Sequence, residues 1–288
     1  MKITGKTKIV GIFGDPVEHT VSPAMHNAAF VALGIDMVYV PFHVRSKPAG
    51  SLRAAVGALK AMEIRGINVT IPHKEKVIRY LDEVDEHAKE IGAVNVIVNR
   101  EGLLTGYNTD GAGYLLSLRE DTGFIPKEKK IIILGAGGGA RAVVHSILGG
   151  HPSSVVIANR TIKRAESLAK EFSEKFKGVD VRAIHLKRNT VKEYCRDADL
   201  IVNTTSLGMA GKGRLDVDAD PLPQNAVVSD IVYTPLKTEL LKSAEARGLK
   251  THNGLSMLIR QGVLTFELWT GQKPPVEVMR GAAIEALY

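Results

Sequence analysis

The sequence predicts an α/β protein of two domains: a doubly wound parallel sheet, and a smaller α/β domain placed before it. Three observations carry this. From residue 130 onward, short apolar runs alternate with helical spacings, the pattern of a parallel sheet covered on both faces. A glycine-rich run, Gly135-Ala136-Gly137-Gly138-Gly139-Ala140, stands between one such strand and a helix. Before residue 110 the chain has its own strands and helices, including a hairpin. The expected division is 1–110, completed by C-terminal helices within 254–288, and 111–253.

Bulk properties exclude several classes. The 288 residues suffice for one large or two ordinary domains. Hydrophobic residues at 44% and charged residues at 24% are the balance of a globular chain. No run reaches the apolar length of a transmembrane helix, and the first six residues lack a signal-peptide core. The expectation is a cytoplasmic protein without membrane contact. Cys195 is the only cysteine, which excludes an internal disulfide and a multi-cysteine metal site, and it reads as structural. No other cluster calls for a metal. The net charge of +7 is spread along the chain. Its densest cluster, Lys127 to Lys130, contains Glu128 and reads as a solvated turn. Small anionic ligands account for the charge without nucleic acid.

In order, residues 8–13 read as a strand. Ser22-Pro23 reads as an N-cap with proline at the first helical position, and Gly34 as that helix's stop. The free amides of such a start, with the hydroxyls of Thr20 and Ser22, suit a carboxylate. Residues 37–44 read as a strand and 49–62 as a helix. The run Ile67-Asn68-Val69-Thr70-Ile71-Pro72-His73-Lys74 reads as a strand that turns straight into a helix. Asn68 and Thr70 share one side of that strand. Lys74 then falls in a first helical turn, where the macrodipole disfavours a cation unless an anion faces it. An amide, a hydroxyl and an amine so grouped can hold a polyol and move a proton.

Residues 75–91 place Val77, Ile78, Leu81, Val84, Ala88 and Ile91 at helical spacing, with Gly92 as the stop. Residues 93–98 and 103–107 read as a hairpin turned at Arg100-Glu101-Gly102. Asn95 interrupts an apolar strand, and a buried amide needs partners, so it is either a structural bridge or a ligand contact. Asp110 reads both as the N-cap of the next helix and as a carboxylate facing Lys74.

The second domain opens on Ile131 to Leu134, a buried strand running into G-x-G-x-x-A. Gly135 allows the tight turn, Gly137 lets a pyrophosphate approach the backbone, and Ala140 allows close helix packing, which is the Rossmann arrangement. The next strand, 155–158, ends in Asn159-Arg160-Thr161, where an NAD site would carry an acid. Arg160, with Arg164 one helical turn on, suits the 2′-phosphate of NADP instead. Further strands are expected at 180–184, 199–204, 227–233 and 249–252. Helices are expected at 236–247, 254–270 and 276–287.

With these residues in view the chain resembles the shikimate dehydrogenase family over essentially its whole length. The matching segments are HTVSPAMHN (19–27), NVTIPHK (68–74), GAVN (92–95), YNTDG (107–111), GAGGGAR (135–141), NRT (159–161), NTTSLGM (203–209), DIVY (230–233) and GLSMLIRQG (254–262). The resemblance implies a substrate domain and a Rossmann NADP domain. It implies reversible NADPH-dependent reduction of 3-dehydroshikimate to shikimate, in aromatic amino-acid biosynthesis, by a monomer or homodimer. It implies that Thr20 and Ser22 hold the substrate carboxylate, and that Asn68, Thr70, Asn95, Tyr233 and Gln261 contact the ring or its hydroxyls. Lys74 and Asp110 would be the catalytic pair, Asp110 also touching substrate. Gly135, Ala136, Gly137, Gly138 and Gly139 would cradle the pyrophosphate. Asn159, Arg160, Thr161 and Arg164 would take the adenosine phosphate. Ile231, Gly254 and Met257 would flank the nicotinamide, and Glu86 would lie near the cofactor. One departure is Thr20, where the family pattern has serine; its added methyl bears on acceptance of quinate. The rival expectations are an NAD-using quinate/shikimate dehydrogenase, which Arg160 and Arg164 oppose, and a non-catalytic NADP-binding regulator, which Lys74 and Asp110 oppose.

Overall fold

The computed structural model describes residues 2–209, 213, 215–217 and 219–288. The chain divides into two compact units, Met1–Thr109 with Gln261–Tyr288, and Asp110–Arg260.

The first unit holds β1 (Lys8–Gly14), α1 (Ser22–Ala32), β2 (Met37–His43), α2 (Ser51–Ala61), β3 (Gly66–Val69), β4 (Glu83–Val84), α3 (Glu86–Ile91), β5 (Val96–Arg100) and β6 (Leu103–Tyr107). Its six strands are ordered β2-β1-β3-β5-β6-β4. β1 runs parallel to β2 and β3, and β5 runs antiparallel to β3 and β6. The β5–β6 turn places Glu101 at φ 54° and Gly102 at φ 87°, the two left-handed residues that a tight hairpin needs. Phe13, Val56, Leu59, Ile67, Val69, Val77, Ile97 and Leu104 form the core.

Two expectations fail here. Residues 72–91 are not one helix, and Lys74 is not in a first helical turn. The chain makes turns, a 3₁₀ segment at Val77–Tyr80, β4, and only then α3. The cause is non-local. The Lys74 carbonyl, which a helix would give to Ile78, accepts from the Val94 amide at 2.9 Å. Asp82 N and Asp85 N donate to the carbonyls of Leu104 and Gly106, drawing β4 alongside β6. Val77 and Ala88 are still fully buried, so the apolar spacing is satisfied by a different backbone. Ser22, secondly, is not an N-cap. α1 begins at Ser22 with Val21 as its cap and no capping side chain. The Ser22 hydroxyl instead accepts from Thr20 Oγ1 at 3.1 Å, and Ser22 N donates back to Thr20 Oγ1 at 3.3 Å.

The second unit opens with α4 (Asp110–Thr122), so Asp110 lies in the helix rather than before it. It continues with β7 (Lys130–Leu134), α5 (Gly138–Gly149), β8 (Ser154–Asn159), α6 (Ile162–Lys175), β9 (Asp180–His185), α7 (Arg188–Cys195), β10 (Leu200–Asn203), β11 (Val227–Asp230), α8 (Glu239–Ala246) and β12 (Lys250–His252). α9 (Gly254–Thr270) runs on from this unit into the first, which α10 (Val276–Glu285) completes. The sheet order is β12-β11-β10-β7-β8-β9, and every neighbouring pair is parallel. That is the doubly wound order, with the crossover switching sides next to β7. Side chains of β7 alternate between two cores. Ile131 and Ile133 pack with α4 and α5 residues such as Leu118 and Val143, while Ile132 and Leu134 pack with Val191 and Leu240. Cys195 is buried in the second of these cores, as a structural cysteine would be. Among the described residues no helix is long and apolar enough to cross a membrane.

Candidate active site

β3 delivers Asn68, which is buried, with Oδ1 accepting from the Tyr39 hydroxyl at 3.0 Å and Nδ2 donating to the Asn95 carbonyl at 3.2 Å. Thr70 follows, half-buried, its amide tied to the Phe13 carbonyl. The next turn is secured by Asp15 N to the Ile71 carbonyl and by Val94 N to the Lys74 carbonyl, which sets Lys74 beside the segment carrying Asn95. Lys74 itself is half-buried.

Asn95 bridges neighbouring segments through its side chain. Its Oδ1 accepts from Thr109 N at 2.8 Å, and its Nδ2 donates to Thr109 Oγ1 at 3.0 Å and to Gln261 Oε1 at 3.4 Å. Thr109 Oγ1 also pairs with Thr265 Oγ1 at 3.1 Å. This network gathers Asn95, Thr109, Gln261 and Thr265 at one place. Sequence reasoning did not single out Thr109 or Thr265. The signal was there for Thr265, which stands four residues after Gln261 and so on the same helix face. Asp110 is buried at the start of α4. Glu86 is exposed at the start of α3 and 3.4 Å from Lys89 Nζ.

In the second unit the glycine run forms an open cradle. Gly135 has φ 119°, and a Cβ there would stand 2.6 Å from Thr204 Oγ1, so both conformation and space require glycine. Gly137 is extended and caps α5 without a side chain, and a Cβ built on it would meet nothing within 4 Å. Ala136 and Ala140 are buried beneath it, while Gly138 and Gly139 are half-buried. The start of α5 therefore has no capping side chain and open space beside Gly137, which fits the pyrophosphate of a dinucleotide. At the end of β8, Asn159 Nδ2 donates to the Thr161 carbonyl at 2.9 Å. Arg160, Thr161 and Arg164 are exposed. The guanidinium of Arg160 makes no ion pair among the described residues.

Ile231 lies beside the cradle, its Cδ1 3.5 Å from where a Gly139 Cβ would be. The segment through Tyr233 is pinned by a residue the sequence reading passed over, Asp230. Its buried carboxylate accepts from Asn203 Nδ2 (3.0 Å), Val232 N (3.0 Å) and Thr238 Oγ1 (2.7 Å). Burial pushes its pKa up, against the pull of those three donors. Gly254 N donates to the Val232 carbonyl, and a Cβ on Gly254 would collide with the Ile231 carbonyl. Met257 is buried in the core that holds Ile133 and Val143, with Ile231 packed against it. Tyr233 is half-buried.

Known families match the chain in both of its units. Residues 12–97 match the shikimate dehydrogenase substrate binding domain, 121–210 match shikimate/quinate 5-dehydrogenase, and 254–284 match the shikimate 5′-dehydrogenase C-terminal domain. A curated shikimate dehydrogenase (NADP(+)) of Methanopyrus kandleri is 47% identical over 100% of this chain and 98% of its own length. The chain belongs to the shikimate dehydrogenase family. A crystal structure of a shikimate dehydrogenase in complex with NADP+ superposes with a TM-score of 0.90 at 43% identity, covering 100% of this chain and 98% of that one. The shikimate 5-dehydrogenase of Thermus thermophilus, in complex with NADP(H) and shikimate, gives 0.82 at 37% identity, covering 97% and 99%. Shikimate dehydrogenase family matches thus fall on both units of the chain, on the strand that carries Asn68 and on the glycine cradle alike.

Proposed function

We propose that this chain is an NADP-dependent shikimate dehydrogenase that reversibly reduces 3-dehydroshikimate to shikimate in aromatic amino-acid biosynthesis. What carries the reading is the whole-chain likeness, 47% identity over 100% of the chain, to a relative named for that activity and cofactor. The open cradle at Gly137 and the exposed Arg160 support it. In this reading the Met1–Thr109 unit with its C-terminal helices holds the substrate, and Asp110–Arg260 holds NADP. The enzyme works in the cytoplasm on a small molecule, as a monomer or homodimer.

Thr20 and Ser22 hold the substrate carboxylate through their hydroxyls. Asn68, Thr70, Asn95, Tyr233 and Gln261 hold the ring hydroxyls, Asn68 with the amide hydrogen that Asn95 leaves unused. The glycine run from Gly135 to Gly139 holds the pyrophosphate. Asn159, Arg160, Thr161 and Arg164 hold the adenosine phosphate, with paired guanidinium donors suited to its oxygens. Ile231, Gly254 and Met257 line the nicotinamide, and Glu86 stands near the cofactor. When bound, NADPH supplies the hydride that adds to C3 of the substrate. Lys74 Nζ gives a proton to the oxygen at C3 in reduction and takes it back in oxidation. Asp110 favours the ammonium form of Lys74 and shares hydrogen bonds with the substrate hydroxyls.

The test is a spectrophotometric assay of purified protein with shikimate and either NADP or NAD. The reading expects NADPH to form in proportion to enzyme, with kcat/KM for NADP well above that for NAD. No reduction of NADP by shikimate would overturn it.

A further inference from the structure

We propose that His73 is a positioning residue for Lys74, its imidazole fixing the turn on which the amine stands. The proposal rests on the reading of Lys74 as the proton-transfer group.

The geometry begins with burial. His73 is 2% exposed, yet its neighbours Pro72 and Glu75 are exposed, so the turn drives one polar ring inward. A buried polar ring needs a partner. His73 has one: Nε2 lies 2.6 Å from the Val44 carbonyl oxygen. A carbonyl only accepts, so Nε2 carries the hydrogen and donates. Backbone bonds hold the two ends of the turn, from Asp15 N to the Ile71 carbonyl and from Val94 N to the Lys74 carbonyl. Between those ends, His73 anchors it through a side chain.

The anchor point is itself held. Val44 N donates to the Gly14 carbonyl at 3.1 Å. On either side of Val44, the Asp15 carboxylate takes His43 Nε2 at 2.8 Å and Ser46 N at 2.7 Å. The line of support runs from Asp15, through the brace around Val44, through His73, to the backbone of Lys74. Every member lies in one compact unit. A proton donor must meet its acceptor within hydrogen-bond reach, and a small misplacement costs up to about a hundredfold in rate. Removing the His73 donor therefore loosens the amine without touching the groups that hold the substrate.

Four variants test this: His73→Phe, which keeps an aromatic ring and loses the donor; His73→Gln, whose amide N–H reaches about as far as Nε2; Lys74→Ala; and the double variant His73→Phe with Lys74→Ala. Steady-state kinetics with shikimate and NADP is measured alongside thermal melting and NADP affinity. The proposal expects His73→Phe to lower kcat by roughly tenfold to a hundredfold. KM for shikimate and the Kd for NADP stay near native, and His73→Gln recovers most of the rate. In the Lys74→Ala background, His73→Phe costs nothing further. Native kcat in His73→Phe would overturn it, as would a full additional loss in the double variant. Native turnover in Lys74→Ala removes the reading of Lys74 and the positioning role with it, whereas a loss in Lys74→Ala with none in His73→Phe removes only the positioning role. Should His73→Phe fail to fold, His73→Asn, whose amide is too short to reach Val44, takes its place with the same expectations.

Discussion

Lys74 stands on a turn whose carbonyl is tied to Val94 and whose neighbouring histidine is tied to Val44. Its function in our reading needs that fixed stem, so the expected effect of Lys74→Ala is selective. Turnover falls by about 10²–10⁴-fold, the usual worth of general acid–base catalysis, while shikimate still binds. Titration calorimetry and initial rates check both halves, and near-native turnover would exclude Lys74 from proton transfer. Thr20 carries a second expectation. Its Oγ1 already accepts from Ser22 N, which fixes the rotamer and with it the methyl. Quinate differs from shikimate at the carbon bearing the carboxylate, where it is tetrahedral and has an added hydroxyl. We expect the ratio of kcat/KM for shikimate over quinate to fall about tenfold in Thr20→Ser, from the cost of leaving a buried hydroxyl unpaired; an unchanged ratio would remove the methyl from the argument. At this scale the sequence was informative about chemistry and weak about partners. The place of Asn68 on a strand was legible from period-2 alternation, whereas Thr70 falls just past the end of β3. The role of Asn95 stayed open, because its partners Thr109 and Gln261 are 14 and 166 residues away.

Some elements whose rules are local were read correctly, though the caps expected at Ser22 and Asp110 were not, and the segment decided at a distance was misread. β7, the glycine run and α5 follow from an apolar strand, a φ of 119° at Gly135 and a helix start, all within about a dozen residues. The α5 helix has no side-chain cap, consistent with a site left for an anion. By contrast, the helical spacing from Val77 to Ile91 was real but did not specify a helix. The competing partners of that segment, Val94 and the carbonyls of Leu104 and Gly106, lie across the sheet. Periodicity records which residues are buried, and here turns bury the same ones. The junction of β8 and α6 gives the element-scale prediction. Arg160→Asp puts a carboxylate where an NAD site carries one and removes the phosphate donor we propose. NADP preference should collapse or invert in kcat/KM, with the melting temperature little changed because Arg160 is exposed. An unaltered preference would show that this arginine does not read the phosphate.

At the scale of the molecule, each unit buries histidines that stay neutral, and this sets its response to acid. His26 in the first unit is wholly buried, stacked on Tyr39 with ring centroids 4.7 Å apart, and neither ring nitrogen has a hydrogen-bond partner. Burial holds its pKa at about 3, against an ordinary 6.5. His252 in the second unit sits between Ser229 and Ser117, and burial holds it at about 4 despite Asp121 nearby. Because the folded pKa values are depressed, the unfolded chain binds protons first as pH falls. The stability from these two groups is complete well above pH 6.5 and drains away as pH falls through it, toward about 4 for His252 and about 3 for His26. Melting temperature should decline across that window, and less steeply in His26→Leu, which removes one titrating group without orphaning a partner. An equal slope in the variant would contradict the assignment. None of this was legible beforehand, since two histidines in helical or strand-end positions give no sign of what will surround them. The two-unit α/β plan was legible, because alternation of strands and helices and one glycine motif are enough to imply a doubly wound sheet. The claim on which everything else depends is hydride exchange between C3 of shikimate and NADP. Its most direct measurement uses shikimate carrying deuterium at C3, with mass analysis of the products. The account predicts one deuterium in the reduced cofactor and none in the 3-dehydroshikimate formed; unlabelled NADPH, or label kept in the oxidised product, would contradict it.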